Sequence, residues 1–429
     1  MSISAPKSTV TLFTPWTKQV NKQLDVKIDG VAVPTVKSPR LLGVIFDPMF
    51  TFSHHSASIA RRASSRLNIL RALSDTSFGK DRECLVLTFK MFIRTLFDYC
   101  APIVYPIYSP ASIERLQRVQ NKALRLATGC HTAAAVDHLH TETGVLPVSD
   151  HLHLLSSQFL ARALHPDHVS HPYALLDQGR RGLKQTLRSK CIADVQPYLE
   201  EDGSLGRGQF SLVKNKLHTD IVDKSIRNRA PNRVLGVLPP PIDASEASLP
   251  RITRTSLSQL RSGHCARLKD YQLRIGKMND NLCADCDLFP QTVNHLFDCP
   301  AHPTTLGPED LWGNPRDVVD HLRNFQSFDF LPALGSPPRL HPRRRPPAAP
   351  PDSPVFSPMT LPPSPFFSPP PPPAHPPIPP LMNFARLSPV SSRSLSLRSS
   401  ISSRSLSINS SPSSVGSSSP LRGVNSRWV

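Results

Sequence analysis

The chain has 429 residues, 47 of them proline, and a formal charge of +18 at pH 7. That excess of Lys and Arg excludes an acidic solvating protein and points to nucleic acid or another polyanion as partner, with plain solubility charge as the alternative. No run of about 18 apolar residues occurs, which argues against a helical membrane span, and residues 1 to 20 lack the apolar core of a secretory signal.

Residues 8 to 52 read as short strands. Ser8–Phe13 and Leu24–Ile28 alternate, Asp29-Gly30 is a hairpin turn signal, and Val31–Val36 is the returning strand. Leu41–Phe46 is a short apolar run closed by Asp47-Pro48. Strands this short predict the edge of a larger sheet, not a domain.

From His54 the period becomes helical. Ala60, Ala63, Leu67, Leu70 and Leu73 share one face, and Arg61, Arg62, Arg66 and Arg71 lie opposite. A second helix is predicted over Asp81 to Asp98 and a third over Ser112 to Thr128. In the third, Arg115, Arg118, Lys122 and Arg125 recur at steps of three, four and three, a basic row beside the apolar stripe. A phosphate backbone alongside would offset their mutual repulsion by releasing its counterions; a solvated amphipathic face is the plainer alternative.

Residues 150 to 235 are mixed. His151–Leu164 reads as helix, and Gln178–Cys191 as a basic loop leading into one. His131, His138, His140, His151 and His153 read as ordinary surface or half-buried histidines, because an i, i+2 pair shares a face only on a strand. The Pro run at 239–241 marks a linker. Ser256–Leu268 and Leu311–Phe325 are further helical stretches.

Between these two stretches stand Cys283, Cys286, His295 and Cys299, spaced Cys-x2-Cys-x8-His-x3-Cys. Structural zinc sites are tetrahedral Cys/His shells, commonly two pairs brought together by a loop. A structural zinc ion is therefore the expected cofactor, with His302 as a substitute ligand. A redox Cys-x-x-Cys is disfavoured, since no strand-to-helix turn of an oxidoreductase surrounds it. The eight cysteines in all, without a secretory signal, fit an intracellular setting, nucleus or cytoplasm.

From Pro337 to Val429 the chain holds 24 prolines, and ten arginines face the single acid Asp352. Such composition predicts a disordered Pro/Ser/Arg tail. Its Pro-x-x-Pro segments, Pro362–Pro365 and Pro376–Pro379, are candidate ligands for SH3/WW-type domains. An interaction adaptor acting through this tail, or a decayed fragment without function, are the alternatives to a nucleic-acid binder.

Taken in order, three stretches resemble the C-terminal part of a non-LTR retrotransposon reverse transcriptase of the jockey group. They are Leu41–Phe52; Leu116–Gly129 with Leu139–Pro147; and Arg261-Ser-Gly-His264 with the Cys/His run and Leu311-Trp312. The resemblance spans roughly residues 5 to 332. It implies a palm-end, primer-grip-like β remnant (1–53), in which Leu42, Gly43 and Val44 would help place a primer end. A thumb-like helical region (54–160) would follow, then a connecting region (161–250), a zinc-knuckle-like module (251–332) and the tail (333–429). It implies RNA or an RNA–DNA hybrid as partner. Phosphate contacts would come from Arg62, Arg66, Arg115, Arg118, Lys122 and Arg125, with Arg267, Lys269, Arg274 and Lys277 beside the module. Such polymerases hold two metal ions on a Tyr-x-Asp-Asp turn, yet no Asp-Asp pair occurs here. Catalytic magnesium and independent polymerisation are thus not expected. The fold class expected is mainly α, within α+β.

Overall fold

Helix dominates the computed structural model of the protein, which describes residues 3–75, 79–171 and 186–331. The Pro/Ser/Arg tail and most of the basic stretch 178–191 lie outside the described residues. All described residues belong to one unit, Met1–Arg344.

The N-terminal segment forms two separate hairpins instead of one sheet edge. β1 (Lys27–Ile28) pairs antiparallel with β2 (Val31–Ala32) across Asp29 and Gly30, both at positive φ, as the turn signal predicts. β3 (Arg40–Leu41) pairs with β4 (Val44–Ile45). The predicted strand Leu41–Phe46 is therefore broken, because Leu42 (φ 48°) and Gly43 (φ 86°) form the two-residue turn itself. Ser8–Phe13 contributes only a bridge between Val10 and Thr35. Asp47 closes the segment: its carboxylate accepts hydrogen bonds from the amides of Met49, Thr51 and Phe52, leading into the first helix.

α1 (Ser53–Leu73) buries Ile59, Ala60, Ala63, Leu67 and Leu70, the face its period marks. The predicted second helix is α2 (Arg82–Phe89), a π-helical turn (Lys90–Arg94) and α3 (Thr95–Asp98). α4 (Ala101–Val104) leads to α5 (Pro110–Thr128), whose start is fixed by Pro110 and by the Ser109 hydroxyl accepting from the amide of Ser112. Gly129 ends α5 at φ +72°, and a Cβ there would lie 2.4 Å from the Thr255 side chain. Both backbone conformation and close approach thus require glycine.

α6 (Val136–Thr143) and α7 (Val148–Ala163) follow. α8 (Leu187–Val195) and α9 (Phe210–Arg227) pack on α7 around Leu160, Cys191, Val195, Val213 and Leu217. α10 (Arg251–Arg261), α11 (Lys269–Arg274), α12 (His295–Asp298), α13 (Asp310–Gly313) and α14 (Pro315–Leu322) complete the order. The α10–α14 region encloses its own apolar cluster around Leu257, Leu260, Trp312, Phe325 and Phe328. The chain is mainly α, and among the described residues no helix is long and apolar enough to cross a membrane.

Candidate metal centre and nucleic-acid interface

Local backbone geometry builds the cysteine end of the metal site. Cys283 donates its amide to the carbonyl of Phe289 at 2.8 Å, and Asp287, at φ 53°, returns its amide to the carbonyl of Cys283 at 2.9 Å. This tight loop turns the Cys286 side chain back toward Cys283. His295 opens the single-turn α12, its amide bonded to the Thr292 hydroxyl at 3.2 Å, and Cys299 sits at the C-terminal end of that turn. One ligand atom from each of Cys283, Cys286, His295 and Cys299 lies within 4.8 Å of every other. Cys286 Sγ is 3.4 Å from His295 Nε2. A tetrahedron with bonds of about 2.3 Å to sulfur has edges of about 3.8 Å, so the four atoms fit a zinc-sized ion.

The electrostatics suit the same ion. Burial pushes the Cys283 thiol up to about 11, against opposing hydrogen bonds from the backbone of Asp285 and Cys286. Burial also raises Cys299. Burial acts upward on Cys286 as well, but the backbone N–H groups of Leu288 and Phe289 and the neighbouring thiols outweigh it and hold it below its ordinary value. Burial lowers His295, keeping its imidazole neutral and able to donate a lone pair. A divalent cation would relieve the cost of placing several thiolates together. His302 is not one of the four: its Nε2 lies 3.6 Å from Asp285 and its ring packs on Phe325.

The predicted phosphate-binding residues occupy α1 and α5, which pack together through Ser56 and Ser112 (Oγ–Oγ 3.2 Å). They are not equivalent. Arg62 and Lys122 are exposed. Arg118 is exposed and paired with Glu114 at 2.5 Å. Arg115 donates to Ser56 Oγ at 2.7 Å, Arg66 to the carbonyl of Phe92, and Arg125 to the carbonyl of Ala134 at 3.3 Å. The regular basic row of the sequence is thus divided: Lys122 is exposed, Arg118 is exposed but paired with Glu114, and Arg115 and Arg125 are engaged internally. Of the primer-grip-like residues, Leu42 and Gly43 form the exposed hairpin turn, Val44 is buried, and Tyr99 Oη donates to the Leu42 carbonyl.

Two features are absent from the sequence reading. First, His138 and His140 are both buried, neither surface nor half-buried as the sequence suggests. His138 Nε2 bonds the Ser258 carbonyl at 3.0 Å, and His140 Nδ1 bonds that of Val145 at 2.7 Å. Second, a buried ion cluster joins the second and third of the resembling stretches. Arg261, fully buried, pairs with Glu142 at 3.2 Å and with Glu246. Its Nε donates to the Leu311 carbonyl at 2.8 Å and its guanidinium lies 5.7 Å from the Trp312 ring centre. Arg82 bridges Glu142 and Glu246 at 2.7 and 3.0 Å. The available signal is the i, i+7 spacing of Arg254 and Arg261, which puts two arginines on one face of a short helix.

The fold and site define a mainly helical protein with a Cys3His cluster and a basic pair of helices. Over 138 residues it is 28% identical to the probable RNA-directed DNA polymerase from transposon X-element of Drosophila melanogaster, covering 31% of this chain and 15% of the relative. Over 144 residues it is 24% identical to the corresponding protein from transposon BS of the same organism, covering 32% and 15%. The resemblance to a transposon-encoded RNA-directed DNA polymerase stands, over a shorter length than residues 5 to 332. The chain spans about 15% of the length of the curated relatives it matches. No family model and no solved structure matches it.

Proposed function

We propose that the chain is a nucleic-acid-binding part of a polymerase of the non-LTR retrotransposon, jockey-like type, taking RNA or an RNA–DNA hybrid. The carrying observation is charge: residues 53 to 128 hold twelve Lys/Arg against five Asp/Glu, a balance of +7 on the helices that bear the exposed Arg62, Arg118 and Lys122. Phosphate contact through these three is the reading; Arg66, Arg115 and Arg125 secure the helices from within. Zinc held by Cys283, Cys286, His295 and Cys299 would supply no chemistry beyond fixing the loop. Without an Asp-Asp pair to hold catalytic metal ions, the chain does not polymerise by itself.

The test is a salt titration of binding to an RNA–DNA hybrid. Arg62→Ala/Lys122→Ala should weaken binding and lower the log–log salt slope by about 1 to 2. Arg115→Ala should instead lower stability. A slope unchanged by the double variant rejects the interface, and template-directed synthesis by the purified chain rejects the non-catalytic reading.

A further inference from the structure

Four chain segments bring basic side chains together around Tyr271 on α11. His131 follows α5, Arg233 lies in the loop after α9, His264 follows α10, and Arg274 ends α11. The rings of His131 and His264 stand edge-on to Tyr271, with centres 5.4 and 5.5 Å from it. The Arg274 guanidinium lies 5.3 Å from the same ring centre, and Arg233 Nη1 is 3.4 Å from His264 Nε2. Gly263 lets the two arginines converge. At φ +69° it carries no Cβ, which would stand 3.1 Å from Arg233 Cδ, and its carbonyl accepts from Arg274 at 3.2 Å. Burial, and then the charges of Arg233, Arg274 and His131, hold the His264 imidazole below its ordinary value, against the Ser262 carbonyl. One imidazole thus feels all three neighbours.

The hydrogen bonds fix which N–H groups remain available. His264 Nδ1 is 2.8 Å from the Ser262 carbonyl and donates to it, so Nε2 is the acceptor that receives Arg233. Tyr271 Oη and the Ala133 amide both approach His131 Nδ1, at 2.6 and 3.4 Å. An amide only donates, so the His131 proton sits on Nε2. Among the described residues that Nε2 has no partner, and Arg233 has none but His264. Both residues are exposed. The loop under Arg233 is held by Asn232, whose Nδ2 donates to the Arg261 carbonyl at 3.0 Å and whose Oδ1 accepts from the Val234 amide at 2.8 Å. Among the described residues the one carboxylate in contact with any of these groups is Asp270, paired with Arg274 at 3.2 Å. Arg82, Arg254 and Arg261 each meet a carboxylate; Arg233 meets an imidazole instead.

Cationic and N–H donors gathered from separate segments, with so little counter-charge, match a tetrahedral oxyanion. We propose that Arg233, Arg274 and the Nε2–H of His131 form a binding site for a phosphate group, with His264 positioning Arg233. The chemistry recognised is phosphate, from a nucleic-acid backbone or free in solution; only the first source rests on the function proposed above.

The test follows the imidazole NMR signals of His131 and His264 in the zinc-loaded full chain. Inorganic phosphate is titrated in one arm and an RNA–DNA hybrid in the other, at constant ionic strength. Both signals should move saturably with phosphate, and Arg233→Ala should weaken that binding about tenfold. Arg233→Ala removes an exposed side chain, and an unchanged melting temperature shows that the fold is kept. Arg233→Lys should recover only part of the affinity, because an ammonium lacks the guanidinium fork. With the hybrid the same signals should move, and Arg233→Ala should lower the log–log salt slope by about 1 beyond the loss in Arg62→Ala/Lys122→Ala. Movement with the hybrid alone supports a backbone-phosphate site, and movement with phosphate alone supports a site for the free ion. Signals that neither ligand moves overturn the proposal, as does binding that Arg233→Ala leaves at full strength. The phosphate arm contains no nucleic acid, so its result stands whether or not Arg62 and Lys122 bind the hybrid.

Discussion

A guanidinium with no exposure is tolerable only where every N–H finds an acceptor, and Arg261 meets that condition with Glu142, Glu246 and the Leu311 carbonyl. Arg261→Met would leave two buried carboxylates with only Arg82 and Arg254 to share. The expected loss is about 3–5 kcal/mol in urea unfolding; a loss under about 1 kcal/mol would mean that the other arginines suffice. His140 gives the pH dependence. Burial holds its pKa below the ordinary value, and its neutral form is fixed by Val145 as acceptor and Gln117 as donor (3.1 Å). Unfolded histidine titrates near about 6.5. The unfolded chain therefore takes up protons first, so this contribution is full above that pH and lost as pH falls toward the depressed folded value. His138 acts in the same sense. Melting temperature should drop from pH 7.5 toward about 5.5, and His140→Gln should show a shallower drop than the parent; a steeper one would contradict the assignment. Comparing the two proteins removes any common effect of metal release.

At the scale of elements, one side chain finishes two helices. Arg251 donates to the carbonyls of Ser74 and Asp75 beyond α1, and to Leu126 and Ala127 in the last turn of α5. The Leu126 and Ala127 carbonyls lie at the negative end of the α5 dipole, and those of Ser74 and Asp75 follow directly on the C-terminus of α1. Arg251→Ala should cost about 2–4 kcal/mol, and Arg251→Lys should recover little of it, because one ammonium cannot span four acceptors. Full recovery by lysine would show that charge alone matters. This device also marks what the sequence conceals. α1 and α5 are legible because their apolar residues recur at helical spacing over five turns or more. Arg251, Arg254 and Arg261 look like a solvated face by the same rule, and only their long-range partners make them interior. The strands fail for a related reason. Alternation gives a local preference but no partner, and Leu42-Gly43 takes the positive φ that converts an apolar run into a turn. α9 escapes because its buried stripe of Val213, Leu217 and Ile221 is narrow and set among Lys214, Lys216 and Asp220. The Cys3His cluster, by contrast, is fully legible, since spacing within seventeen residues already brings the ligands close.

Across the whole molecule the question is how far loss of the metal would spread. Cys283 and Cys299 belong to the same apolar cluster as Leu257, Leu260, Trp312 and Phe325, which would link the loop to α10 and α13. α10 is nonetheless held from the other side, by Arg251 on the ends of α1 and α5, by Arg261 on Glu142, and by Gln259 donating to the Gly129 carbonyl at 2.8 Å. None of these contacts involves the metal ligands. Metal removal should therefore unfold the loop locally and leave α10 docked. At a zinc concentration a hundred times its dissociation constant, binding contributes about 2.7 kcal/mol, or roughly a hundredfold in amide protection. Hydrogen exchange after chelation should show a loss of that order over residues 283–299, with 251–261 and 110–128 changed by less than about threefold. Cys286→Ser should reproduce the pattern with reduced zinc content. Equal loss across 251–299 would mean that the apolar cluster, and not the arginine clamps, sets the boundary of cooperative unfolding. No change in 283–299 would mean that the loop is held by its own packing and that the four ligands are not a structural metal site.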